Sequence, residues 1–193
     1  MKIEEVRLLL SVALRTTRIT VPPGTTLGAA AKDQLEMARA YESDGTTFAG
    51  SGDPVNALAG FFYAFGWLHF GWFYGTLSTE MAIPPCPFIY PCGRLPLPAR
   101  EKLHEKSCRY ERLLTTASSS VTCAPDSSTQ AYLLAARTLQ VAATSARQGR
   151  WLLEVVREED ALAHFSYGHG WLDAGVRAGL FTIHANREIF TVD

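Results

Sequence analysis

Three observations predict an all-α fold, a tandem duplication of a three-helix bundle module packed as a helical bundle. The sequence aligns with itself at an offset of 104 residues without a gap. Apolar residues recur at steps of three and four along both copies, the spacing of one buried helix face. Proline and glycine clusters fall between the periodic stretches, where helices stop.

The first module is read as residues 1–80, a linker as 81–98 and the second module as 99–193. Val6, Leu9, Leu10 and Ala13 mark the buried face of the first helix, and Tyr110, Leu113, Leu114 and Ala117 stand at the same places in the second copy. Pro22-Pro23-Gly24 stops that helix, and Thr25 or Thr26 caps the next. The second helix shows Ala31, Leu35, Ala38, Gly45 and Phe48, matched by Ala135, Leu139, Ala142, Gly149 and Leu152. Gly50-Ser51-Gly52 ends it. Asp53-Pro54 then supplies an N-cap and a proline at the first helical position, where its missing N–H costs nothing. In the second copy Pro125, Asp126 and Ser127 mark the first break, and the acidic run Glu158-Glu159-Asp160 suits the positive end of the third helix.

The third helix carries the strongest repeat signal. From Ala57 to Leu77, ten of 21 positions are identical at the offset, including Tyr63/Tyr167, Gly66/Gly170 and Trp67/Trp171. β-strand alternation is absent over any useful length. Six prolines between 81 and 98 exclude a continuous helix there and predict a semi-rigid linker.

Composition narrows the function classes. Apolar residues at 47% and charged residues at 19% predict a packed globular core. A net charge of −1 offers no field for nucleic acid, and neither copy departs far from neutrality. The start Lys2-Ile3-Glu4-Glu5-Val6-Arg7 does not resemble a signal peptide, so a cytoplasmic setting with free thiols is expected for Cys86, Cys92, Cys108 and Cys123. Cys86 and Cys92 are spaced too widely for the usual paired zinc ligands. No phosphate-binding glycine loop or nucleophile elbow is present, and no cofactor is expected.

The segments Gly52-Asp53-Pro54-Val55-Asn56-Ala57-Leu58-Ala59 through Gly66-Trp67-Leu68, and Asp160-Ala161-Leu162-Ala163 through Tyr167-Gly168-His169-Gly170-Trp171-Leu172-Asp173-Ala174-Gly175, resemble the archaeal family called "domain of unknown function 357". The resemblance covers both modules but not the linker. It implies small three-helix bundles from an archaeal cytoplasm, and no activity, cofactor or catalytic residue. The second copy departs from it by lacking the Gly-Asp turn before the third helix.

Four features compete as sites. The stretch from Pro54 to Thr79 lacks Asp, Glu, Lys and Arg and is long enough to span a bilayer. Its counterpart carries His164, His169, Asp173 and Arg177, costly in hydrocarbon, so a buried helix is expected instead. A small-residue seam at Gly60/His164, Ala64/Gly168, Trp67/Trp171, Gly71/Gly175 and Gly75/Gly179 is expected to allow close helix approach, since mid-helix glycine otherwise costs about 1 kcal/mol. His164, His169 and Asp173 form a polar cluster that could orient an imidazole for base catalysis or ligate a metal, although a solvated face with a local hydrogen bond explains it as well. The fourth feature is a difference between copies: where the second has Ser166, His169, Asp173 and Arg177, the first has Phe62, Phe65, His69 and Phe73. The second copy is expected to turn this stripe to water. In the first copy the stripe, extended by Phe70 and Tyr74, is expected to need cover from the other copy, the linker, a protein partner, self-association or an apolar ligand. The function expected is a non-enzymatic interaction or scaffold module; the alternatives are an apolar small-molecule binder or an enzyme using His164, His169 and Asp173.

Overall fold

The computed structural model describes residues 1–81 and 86–191. Residues 82–85 of the expected linker and 192–193 of the expected second module lie outside the described residues. The chain folds as α1 (Ile3–Thr16), β1 (Thr17–Ile19), α2 (Thr26–Gly50), α3 (Pro54–Tyr74) and β2 (Leu77–Thr79). After a 3-10 turn at Leu97–Ala99 come α4 (Arg100–Ser119), β3 (Val121–Cys123), α5 (Gln130–Glu154), α6 (Glu158–Arg177) and β4 (Phe181–Ile183), then a last 3-10 turn at Arg187–Ile189. The ends of α2 and α5, and of both strand pairs, repeat at the 104-residue offset.

Local chemistry sets the helix ends. The Thr25 hydroxyl accepts from Gly28 N at 2.9 Å, and Thr129 caps α5 in the same way through Tyr132 N. Asp53 caps α3 by accepting from Asn56 N at 3.2 Å, with Pro54 at the first helical position. Gly75 closes α3 in the left-handed conformation. The turn before α6 is the same turn as before α3 although its glycine is missing: Val156 adopts φ 56° where the first copy has Gly52 at φ 79°. A β-branched residue there is strained, and the turn is closed by backbone bonds from Val156 N to Leu153 O at 3.1 Å and Arg157 N to Leu152 O at 2.8 Å.

The strands were not legible, because three residues cannot display an alternation. Thr17–Ile19 pairs antiparallel with Leu77–Thr79, and Val121–Cys123 with Phe181–Ile183, tying the exit of each repeat's first helix to the exit of its third.

α3 and α6 form the centre. Tyr63 meets Asp173 while His69 meets Tyr167, so the two helices run antiparallel. They cross at Gly66 and Gly170, equivalent positions of the repeat. A Cβ on Gly66 would lie 2.5 Å from the Tyr167 carbonyl oxygen and 2.9 Å from Gly170 Cα. One on Gly170 would strike the Tyr63 carbonyl oxygen and come within 3.2 Å of Gly66 Cα. The contact is therefore self-complementary about a local two-fold axis, and one hydrophobic core runs through both repeats.

The expected small-residue seam holds in part: a Cβ on Gly60 would lie 3.3 Å from the Tyr41 carbonyl oxygen of α2, and one on Gly168 2.6 Å from Ser145 Cβ of α5. Gly71 and Gly175 make room for Leu77 and Phe181 of their own repeat's strands, and Gly75 and Gly179 are left-handed residues with open space around them. The close approach of α3 to α6 belongs to Gly66 and Gly170.

The expectation that the second copy turns its stripe to water is also wrong. Ser166, His169 and Asp173 are 0%, 5% and 0% exposed. Tyr63 of α3 and the C-terminal segment cover them: His169 and Asp173 lie against Tyr63, and Thr191 closes over Asp173. Among the described residues, no helix is long and apolar enough to cross a membrane.

Candidate functional site

Each third helix sends a tyrosine across the central crossing. The Tyr63 hydroxyl donates to the Asp173 carboxylate, and at the symmetric place the Tyr167 hydroxyl lies 2.9 Å from His69 Nδ1. The two half-sites start from one plan and then diverge.

The half-site at Tyr63 is filled. Asp173 also accepts from Thr191 N at 3.0 Å and Thr191 Oγ1 at 2.8 Å, which holds the C-terminal segment over the helices. Tyr41 packs on Tyr63 with ring centroids 4.3 Å apart, and His169 meets Tyr63 edge-on at 5.7 Å. The space left among Tyr41, Tyr63, Tyr110, His169 and Thr191 is only about 150 Å3. Burial pushes the Tyr63 hydroxyl well up, with the Asp173 charge adding to the effect. Burial also lowers His169, against the Asp173 charge and a hydrogen bond to the Ile189 backbone, so the imidazole is neutral near pH 7.

The half-site at Tyr167 is open. Ser145 occupies the place of Tyr41, and a cleft of about 510 Å3 lies over it. Its floor is aromatic: Phe88 stacks on His164 at 4.2 Å with 13° between the rings and meets Tyr167 edge-on at 5.1 Å. Its wall is the face of α5 that carries Arg137, Gln140, Val141, Thr144 and Gln148. A smaller cavity of about 220 Å3 adjoins it through Phe88, Gln148 and His164 and reaches Trp151. The volume falls within the range of sites that enclose small organic molecules, and an apolar floor with a few polar groups is their usual lining.

The acidic run at the start of α6 positions that floor. Glu159 accepts from Leu95 N at 2.9 Å and Arg94 Nη1 at 3.1 Å, and Asp160 accepts from Cys92 N at 2.7 Å. These carboxylates therefore do more than favour the helix dipole. They strap residues 92–95 to α6, four residues beyond Phe88.

Burial drives the His164 imidazole down to about 4, with Asp160 pulling it up and Arg157 pushing it further down. Its ordinary value is 6.5. Between these values the unfolded chain binds more protons than the folded one, so stability is lost as pH falls from about 6.5 to about 4. Urea melts at pH 7 and pH 5 will show a smaller loss in His164→Gln than in the parent; some loss persists, because His169 shifts in the same direction. Equal losses would mean that His164 protonates freely in the folded protein.

Of the residues singled out in the sequence, Phe62, Phe65 and Phe70 are fully buried, Phe62 against Phe88 at 5.2 Å and Phe70 against Trp171 of α6 at 5.8 Å. Phe73 is 41% exposed beside Trp171, while His69 and Tyr74 are half-buried. The polar cluster divides. His169 and Asp173 share the filled half-site, whereas His164 lies on the floor of the open one. The solvated face is overturned for His169 and Asp173 by their burial, while His164 stays half-buried. Among the described residues, no group of three or more His, Cys, Asp or Glu converges to hold a metal. Sequence reasoning missed Arg137, Ser145 and Gln148; the signal was available in the repeat alignment, where Tyr41 faces Ser145.

No curated protein matches the chain, and no solved structure does. One family, described as Protein of unknown function (DUF357), matches residues 8–77 and 109–181, one segment in each repeat. The chain belongs to this family and holds two copies of its domain in tandem.

Proposed function

We propose that the protein is a non-enzymatic binding module that holds a small, largely apolar molecule in the cleft of the second repeat. The observation that carries this is the broken symmetry: Tyr41 fills one half-site, and Ser145 leaves its partner open. The ionisable groups that would suit an enzyme are engaged otherwise. Asp173 is fully buried under three donors, and His169 is buried beside Tyr63. What the aromatic stripe leaves to a protein partner or to self-association is its exposed end, Phe73 with Tyr74 beside it. A cytoplasmic setting, with the four cysteines as thiols, belongs to the same reading.

N-phenyl-1-naphthylamine, a neutral aromatic dye that brightens out of water, tests the cleft directly. The parent will give a saturable rise with one dye per chain, and Ser145→Tyr, which copies the filler of the first repeat, will abolish it. A parent that stays dark, or a variant that binds as the parent does, overturns the reading.

A further inference from the structure

The wall of the cleft changes charge between the repeats. Asp33, Glu36 and Asp44 of α2 stand, at the 104-residue offset, where α5 carries Arg137, Gln140 and Gln148 on the cleft wall. Three carboxylates have thus become one guanidinium and two amides, and Ala40 has become Thr144. Asp33 is engaged, bonding Arg177 of the other repeat at 2.8 Å. Among the described residues Arg137 makes no ion pair; its one hydrogen bond goes to Gln140 Oε1 at 2.9 Å, which sets the guanidinium along the cleft wall. No carboxylate lines the cleft among the described residues.

We infer that the ligand of this cleft is a planar aromatic anion, its ring against Phe88 and Tyr167 and its carboxylate or sulfonate on Arg137. This rests on the reading that the cleft binds a small molecule, and it adds the chemical class. An aromatic floor with rings stacked and edge-on offers a flat partner both faces and edges. A guanidinium presents a planar fork that matches a carboxylate or sulfonate in two bonds, and neighbouring amides and a hydroxyl complete the shell. Opposite the acidic wall of the first repeat, the same anion would be repelled.

The test uses two dyes with one ring system: 1-anilinonaphthalene-8-sulfonate and neutral N-phenyl-1-naphthylamine. The sulfonate will bind the parent at least about tenfold more tightly, the ratio that one modest charge-assisted contact supplies. Arg137→Asp, which copies Asp33 on an exposed residue, will remove that advantage, so that the sulfonate binds no more tightly than the neutral dye. Salt will weaken the sulfonate only. Ser145→Tyr will remove both dyes, and Val141→Glu on the lip of the cleft repeats this test should the tyrosine disturb folding. If both dyes bind equally, or if Arg137→Asp leaves the sulfonate in place, the anionic ligand is wrong while the cleft stands. If neither dye binds, or if both survive Ser145→Tyr and Val141→Glu, the cleft itself is wrong.

Discussion

Gly66→Ala and Gly170→Ala will each destabilise the protein, although alanine is the better helix former. The added methyl meets backbone on the opposite helix, which cannot rotate away as a side chain would. Overpacking costs about 1–3 kcal/mol, and more where the obstacle is rigid; helix propensity returns about 1 kcal/mol. A net loss of about 2 kcal/mol lowers Tm by about 4–8 °C in a chain of this size. Gly50→Ala serves as the control, because Gly50 ends α2 with nothing within 4 Å of its added methyl. The double variant will lose less than the two single losses added, since one methyl already forces the helices apart where the second would sit. Unchanged thermal melts for both single variants would show that the crossing is looser than drawn.

Tyr63→Phe will cost more than Tyr167→Phe, although the two hydroxyls occupy equivalent places. Tyr63 serves a carboxylate that is fully buried and that, among the described residues, has only Thr191 as a further donor. A hydrogen bond to a charged group contributes about 1.5–3 kcal/mol, and a neutral one about 0.5–1.5 kcal/mol. Tyr167 faces a half-buried imidazole that also stacks on Trp72 at 5.0 Å, so its loss belongs to the smaller class. The expected difference is about 1 kcal/mol, or about 2–4 °C in Tm. The Tyr63 variant will also loosen the C-terminal segment, read as faster amide exchange at Thr191. Equal losses in the two variants would mean that Asp173 finds another donor.

The repeat, the helix ends and the buried third helix were legible because each depends on local chemistry: Thr25 and Asp53 cap where their hydroxyl and carboxylate must, and Pro22-Pro23-Gly24 admits no helix. The family was legible in the third helices for the same reason. The direction in which the stripes face was not. Ser166, His169 and Asp173 read as a wet face when one copy is considered alone, whereas in the fold Tyr63 of the other copy and the distant Thr191 cover His169 and Asp173. Gly66 and Gly170 were on view as an identical pair, but nothing along the chain distinguishes a crossing point from a glycine that admits Leu77 or one that ends a helix. The cleft was illegible because it is an absence: Ser145 matters only where Tyr41 shows what could have stood there.

The contact at Gly66 and Gly170 is the kind that a homodimer makes, the same patch on each side and each residue meeting its own counterpart. In a homodimer every substitution appears twice, so both half-sites would be shut or both open. Joining the two copies in one chain lifts that constraint. Tyr41, Asp33 and Thr191 could settle as structure on one side, while Ser145 and Arg137 diverged on the other without weakening the first. The stoichiometry follows: one occupant for each pair of repeats, where a symmetric assembly would take two or none.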